Sequence, residues 1–399
     1  MTVSDRELAD PPNHAERAVP RWMNAADLAD AAREALAPEV YEYVASGAGD
    51  GSTLAANLAA FDRYRFVPRV LQEVSTVDTT LDAFGFRLDT PMFVSPMGWQ
   101  RLVRPDGEMA TAAGAAQAGL PFTLSTNATT SIEELATVER LQRWFQLYFV
   151  TPDRGVLADL VHRAEQAGYT AICVTIDNPV QGFRRDAVRR AGSTRSGRES
   201  LTAPNLAPYG DRVAPSSGHA GSGFAPPTHY PATWDDLAWL RAQTSLPLIV
   251  KGALNPYDAG RAVDAGAQAI LISNHGGRQL DRCVATLEVL PAVRAAVGAR
   301  AAVFLDGGIR SATDAAIALC LGAHAVGLGR PVLWALSYGG AAGVASYLGT
   351  LRTELIRVLQ LLGTAGLNDL SPLLLYDRAT GWQGRYSTAE WLVGDDPQG

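Results

Sequence analysis

Only three of the 399 residues are cysteine, Cys173, Cys283 and Cys320, and they stand far apart along the chain. That is too few and too scattered for a disulfide framework or a metal cluster, so no metal site is expected. Cys173, inside the apolar run Ala-Ile-Cys-Val-Thr, and Cys320 read as core thiols. An excess of basic charge is also missing: 34 Lys and Arg against 41 Asp and Glu leave a net charge of −7. This argues against a nucleic-acid or anionic-membrane surface, because counterion release needs clustered cations. No stretch approaches the roughly 18 consecutive apolar residues of a membrane span. The N-terminus, with Asp5, Arg6, Glu7 and Asp10, lacks the apolar segment of a signal peptide. A soluble, cytoplasmic protein is therefore predicted. Neither a G-x-G-x-x-G turn after the first strand nor a Walker sequence occurs, which leaves a nicotinamide or nucleoside-triphosphate reading with little support. At 47% hydrophobic and 19% charged, the chain has the composition of a globular protein with a large core.

What is present is a repeat. From about residue 90, short β-branched apolar runs alternate with Ala-rich amphipathic stretches, the pattern of βα units and a parallel sheet. Eight runs qualify, beginning at Met92, Pro121, Trp144, Ala171, Pro247, Ala269, Ala302 and Ala325. Helices are predicted between them over Gly107–Ala118, Ile132–Val138, Arg154–Ala167, Trp234–Gln243, Tyr257–Ala265, Leu287–Val297 and Thr313–Leu321, and after Pro331 the chain is expected to be helical again, through Ala341–Leu362. Eight such units predict a (β/α)8 TIM barrel. The spacing is regular except after the fourth run, where residues 191–232 hold six Gly, six Pro and six Ser. This stretch reads as a mobile insertion near the barrel mouth. The organisation expected is a loose tail over 1–24, a helical cap and lead-in over 25–85 containing Ala25–Leu36 and Glu39–Ala45, the barrel over 86–370, and a C-terminal tail over 371–399.

In such barrels the reactive groups sit at the C-terminal ends of the strands. The runs end at Ser95-Pro96 before Gly98, at Ser125, at Gln146 and Tyr148, at Thr175 and Asp177, at Lys251, at Ser273-Asn274-His275, at Asp306-Gly307-Gly308, and at Gly329-Arg330. A lone Ser or Thr at a strand end is ordinarily only a cap, but polar groups at all eight ends together mark a site. Gly307, Gly308, Gly327 and Gly329 allow close backbone approach, and Arg310 and Arg330 add charge, which suits a phosphate. Lys251 places an ammonium in the mouth that needs an anionic partner, such as a phosphorylated cofactor with an electron-accepting ring. His275 can take a proton, with Asp177 and Tyr148 on other strands as candidate partners, and Arg278 offers a planar fork for a carboxylate. Of the other histidines, His219 and His229 fall in the insertion, His14 in the tail, and His162 and His324 at positions suited to structural roles.

The motifs SNHGGRQLD from Ser273, LDGGIR from Leu305, LGRP from Leu328, FQLY from Phe145 and LIVKG from Leu248 resemble those of the FMN-dependent 2-hydroxy-acid oxidases and dehydrogenases. That family includes the glycolate and lactate oxidases, lactate monooxygenase and mandelate dehydrogenase, and the likeness runs from about Leu28 to Leu370. The resemblance implies that His275 is the base, paired to Asp177, and that Arg278 and Arg184 grip the substrate carboxylate. It further implies that Tyr43 closes over the substrate, that Tyr148 bonds its hydroxyl or keto oxygen, and that Lys251 sits by the flavin N1 and O2 edge. FMN contacts would come from Pro96, Gly98, Ser125, Gln146, Thr175, Lys251, Asp306, Gly308, Arg310, Gly329 and Arg330. The implied partners are a small 2-hydroxy acid and oxygen or another electron acceptor, in a homotetramer.

The chain departs from the short-chain oxidases of that family in its pocket. Gly98 then Trp99 stand where those have a small residue then Met, and Asn127 stands where they carry a Trp. Met97 precedes the flavin-facing Gly98. The PxxWQRL pattern from Pro96 is similar to the PxxYQRL of hydroxymandelate oxidases, which points to a bulky or aromatic 2-hydroxy acid. A related FMN barrel with other chemistry, an isomerase or an oxidase of an amine-bearing natural-product intermediate, is the second reading. A non-catalytic phosphate-binding barrel is the third, and it would not need the full set of base, partner and carboxylate-binding residues.

Overall fold

The structure is a computed structural model that describes residues 16–21, 23–185, 201–213 and 230–381. Eight parallel strands close into a barrel: Met92–Val94 (β1), Phe122–Ser125 (β2), Arg143–Leu147 (β3), Ile172–Thr175 (β4), Leu248–Lys251 (β5), Ala269–Ile272 (β6), Ala302–Leu305 (β7) and Ala325–Leu328 (β8). Each pairs with the next in chain order, and β8 returns to β1 through Val326 opposite Met92. Every strand residue except Arg143 is buried, as expected where helices cover the outside and side chains fill the inside. All eight apolar runs of the sequence are these strands, so the TIM barrel is the fold.

The pleat explains where the polar groups lie. Side chains alternate with a period of two, and the inward residues low in the barrel are apolar: Phe93, Trp144, Cys173, Ile249, Leu271 and Phe304 form one buried cluster. Two residues further along each of those strands come Ser95, Gln146, Thr175, Lys251, Ser273 and Asp306, all buried and polar. A hairpin of Leu81–Ala83 and Phe86–Leu88 plugs the bottom. Its Phe86 ring lies 5.7 Å from Trp144 and 5.2 Å from Phe304. The floor is thus dry and the mouth polar.

Several expected boundaries shift. The lead-in and barrel cannot be divided after residue 85, because that position is in the turn of the plugging hairpin. The chain is not loose up to residue 24: Val19 N–H bonds Ser346 Oγ at 2.6 Å, and Arg17 Nε bonds the Tyr338 carbonyl at 2.9 Å. Residues 1–15, with His14, lie outside the described residues. The terminal helix runs over Arg330–Leu362, as expected after Pro331, with a kink where Gly340 takes a φ of 59°. Past residue 370 the chain is still built in, since Leu375–Asp377 pairs antiparallel with Tyr64–Phe66, and only residues 382–399 of that expected tail lie outside the description.

Of the expected mobile insertion, residues 191–200 and 214–229, with His219 and His229, lie outside the described residues. Residues 201–213 are packed down: Asn205 is fully buried and accepts from Ile132 N–H at 2.8 Å, and Tyr209 donates to Asp159 Oδ2 at 2.5 Å. Composition concealed this, because a few well-placed polar contacts dock a segment that has little apolar area of its own. Among the described residues no helix is long and apolar enough to cross a membrane.

Candidate active site

A cavity of about 320 Å³ opens at the C-terminal ends of the strands, within the range of about 300–1,000 Å³ usual for ligand sites. Of the residues singled out from the sequence, Tyr43, Pro96, Gly98, Trp99, Ser125, Asn127, Tyr148, Arg184, Lys251, His275, Arg278, Asp306, Gly308, Arg310, Gly329 and Arg330 line it. Gln146, Thr175 and Asp177 are not on its wall. Gln146 stands behind Ser125, whose hydroxyl donates to its Oε1 at 2.9 Å, and Asp177 reaches the cavity through His275.

His275 is the centre of the arrangement. Its Nδ1 lies 2.9 Å from Asp177 Oδ1, and its Nε2 lies 3.4 Å from the Tyr148 hydroxyl. The carboxylate holds the proton on Nδ1 and leaves Nε2 free to accept one. Burial pushes the imidazole below its ordinary pKa, outweighing the opposite pull of Asp177. Burial would raise Asp177, but His275 and Lys251 together hold its carboxyl below the usual range. The histidine backbone is itself left-handed, with a φ of 58°, and Gly276 and Gly277 continue that turn at 63° and 72°. A left-handed residue other than glycine costs on the order of 1–3 kcal/mol and persists where the surroundings impose it. Here Ser273 Oγ accepts from His275 N–H at 3.1 Å, and Gly277 has no room for a side chain, since a Cβ would meet Leu54 N at 2.7 Å.

Lys251 donates to Ser273 Oγ at 2.8 Å and lies 3.8 Å from Asp306 Oδ2. Burial favours the neutral amine, but Asp306 and Asp177 outweigh it and keep the ammonium above its ordinary pKa. On the other side, the guanidinium groups of Arg278 and Arg184 flank the Tyr43 ring, 5.1 and 5.6 Å from its centroid. Burial, then the repulsion of Arg184, brings Arg278 down to about 9. Arg278 Nη1 donates to the carbonyls of Tyr43, Val44 and Ser46, and Arg330 donates to those of Val44 and Ser46. Half-buried cations whose hydrogen bonds, among the described residues, go to neutral carbonyls make a strong anion site.

Sequence reasoning overlooked several groups of the site. Ser273, noted only as a strand end, joins Lys251 to His275, and its polar position two residues after Leu271 was a usable signal. Asn178, Gln181 and Gln279 also line the cavity, and so does Leu201, which the docked part of the insertion delivers without any sequence signal. His324 is structural as expected, its Nδ1 accepting from Val303 N–H at 2.9 Å.

The mouth also fits a planar, polar-edged group with a phosphate. Gln146 Nε2, Thr175 Oγ1 and Asp306 Oδ1 are buried with no hydrogen-bond partner among the described residues. Gly98 is pressed so close that a Cβ would meet the Asn127 carbonyl at 2.7 Å, which leaves a flat surface there. A barrel mouth that gathers a His–Asp pair, a fixed ammonium and clustered guanidinium groups suits an anionic ligand beside a polar cofactor.

The sequence matches the FMN-dependent dehydrogenase family over residues 32–377. It is 42% identical to L-lactate oxidase of Nostoc sp. over 358 residues, 89% of this chain and 98% of that one. It is equally 42% identical to 4-hydroxymandelate oxidase of Amycolatopsis orientalis over 354 residues, 88% and 96% of the two chains. The solved structure of mandelate oxidase with (S)-2-phenylpropionate matches with a TM-score of 0.78 at 41% identity, covering 87% of this chain and 96% of that one. The chain belongs to the FMN-dependent dehydrogenase family. It is an oxidoreductase acting on CH–OH, and its cofactor is FMN.

Proposed function

We propose that the enzyme oxidises an (S)-2-hydroxy acid with a bulky or aromatic side chain to the 2-oxo acid and returns the electrons to oxygen or another acceptor. The observation that carries this reading is His275 held by Asp177 at 2.9 Å and facing Tyr148, with Arg278 and Arg184 on the same cavity. When bound, FMN supplies the two-electron acceptor. The substrate loses two electrons and two protons: His275 Nε2 takes one proton while Asp177 stabilises the imidazolium formed, and the other leaves with the two electrons to the acceptor. Arg278 and Arg184 hold the carboxylate, Tyr43 stacks between them and covers it, and Tyr148 hydrogen-bonds the oxygen that becomes the keto group. Lys251 would stabilise negative charge at the electron-rich edge of the bound ring system. Ser125, Gln146, Thr175 and Asp306 would satisfy the ring's polar edge, Pro96 and Gly98 would pack against it, and Gly308, Arg310, Gly329 and Arg330 would hold the phosphate.

The side-chain preference rests on Asn127 and Trp99, because identity alone does not separate lactate from hydroxymandelate oxidases. Asn127 is shorter than an indole and leaves space, and its amide oxygen is buried without a partner among the described residues. A ring-hydroxylated substrate both fills the space and offers the amide a hydrogen bond. The test is anaerobic addition of mandelate, 4-hydroxymandelate, lactate and glycolate to the yellow protein, followed by oxygen and product analysis. Flavin bleaching fastest with the aryl acids is expected. No bleaching with any 2-hydroxy acid refutes the reaction, and bleaching fastest with glycolate or lactate refutes the substrate class.

A further inference from the structure

We infer that Glu108 is a specificity-positioning residue: a buried carboxylate on the outer helix of the first βα unit that sets the separation of Trp99 and Asn127, and with it the side chains the pocket accepts. The inference rests on the proposed reading of those two residues as the side-chain end of the substrate site.

Glu108 is fully buried, and no Lys or Arg forms an ion pair with it among the described residues. Its oxygens are satisfied entirely by two loops. Oε1 accepts from Gln100 N–H at 3.1 Å and Thr129 N–H at 2.9 Å, and Oε2 accepts from the hydroxyls of Thr129 at 2.5 Å and Thr130 at 3.3 Å. Gln100 follows Trp99 directly, and Thr129 lies two residues beyond Asn127. One carboxylate therefore welds the turn after β1 to the loop after β2, immediately behind the two residues that face the cavity. A position needed only for packing would be filled more cheaply by an apolar side chain.

The turn needs such a hold. Trp99 is left-handed, with a φ of 60°, a conformation that L side chains leave when unconstrained. Its N–H bonds the Asn127 carbonyl at 3.1 Å. The buried Gln100 side chain reinforces the same turn, donating to the Met97 carbonyl at 3.1 Å and accepting from Thr111 Oγ1 at 2.6 Å. Without Glu108, two buried N–H groups and two hydroxyls lose their acceptor, and the turn is free to relax and swing the indole relative to Asn127. His275, Asp177, Arg184 and Arg278 stand in the loops after β4 and β6, so a shift of this wall changes discrimination between substrate side chains while leaving the carboxylate end in place.

The test uses the FMN holoenzyme and two unreactive 2-oxo acids, benzoylformate and pyruvate, titrated by the change in flavin absorbance. FMN content and thermal midpoint are recorded for each protein. In Glu108→Ala the affinity ratio of benzoylformate to pyruvate should change about tenfold from the parent. In Glu108→Gln, which keeps an oxygen for the two backbone N–H groups, the change should be about threefold. If Glu108→Ala does not fold, the glutamine variant decides alone. Equal weakening of both ligands, or a ratio unchanged in the variants that fold, overturns the inference and leaves Glu108 a structural residue. A parent that prefers pyruvate overturns the proposed substrate class instead, because Glu108 is judged only on the change from the parent.

Discussion

Replacing Asp177 by Asn removes one charge and keeps the shape of the group that holds His275. In the parent, Asp177 Oδ1 lies 2.9 Å from His275 Nδ1, and both side chains are largely buried. Proton uptake at Nε2 turns that carboxylate–imidazole pair into an ion pair. At about 4 Å between charge centres and an effective dielectric of about 20, the attraction is about 4 kcal/mol. Each 1.4 kcal/mol or so is tenfold in rate, so substrate-driven flavin reduction should slow by about 10²–10³-fold. The pH dependence has a definite sign. The base must be neutral, so kcat/KM falls as pH drops through the His275 pKa, which burial already holds below its ordinary value. Asp177 is the largest influence opposing that shift, so in Asp177→Asn the acid limb should move to still lower pH. Anaerobic stopped-flow reduction by mandelate between about pH 5 and 9 reads both quantities, across the range where a histidine titrates. A loss below tenfold, or an acid limb that moves upward, refutes the assignment of His275 and Asp177 as base and partner.

Arg278→Lys should raise the dissociation constant of benzoylformate by about 10–100-fold, since an ammonium cannot reproduce a two-pronged carboxylate contact; unchanged binding would place the carboxylate elsewhere. Asn127→Trp should lower kcat/KM for mandelate relative to lactate by about ten- to a hundredfold by refilling the side-chain space, measured on the same substrate panel. Asp377→Asn should lower the thermal midpoint, because Arg63 grips that carboxylate at 2.7 and 2.6 Å and so joins the C-terminal strand to the cap; the cost is about 1–3 kcal/mol. Arg63 holds the Asp377 carboxyl below its unfolded pKa, so this stability is present above about pH 4 and fades as pH falls below it, where the parent and variant melting curves should converge.

The barrel was legible because its strands are apolar on both faces and its units repeat, so no long-range information is needed to count them. The polar strand ends were legible for a related reason: with a period of two, Trp144 inside places Gln146 inside, and Ile249 places Lys251. The motif around His275 marked the residue, but its left-handed backbone and the 2.9 Å contact to Asp177, 98 positions away, belong to the closed barrel. Asn205 and Tyr209 show the limit from the other side. Their segment looked loose because composition reports how much apolar area a stretch can bury, whereas its docking depends on Ile132 and Asp159 being held at the right distance. Glu108 is the same case in the site itself: nothing in Gly-Glu-Met-Ala distinguishes a surface glutamate from a buried one. Local periodicity, composition and motif determine the elements and the kinds of chemistry available. Which loops meet, which carboxylate faces which donors, and which cations share a carbonyl are decided only when elements distant in sequence pack together and the desolvated groups must find their partners.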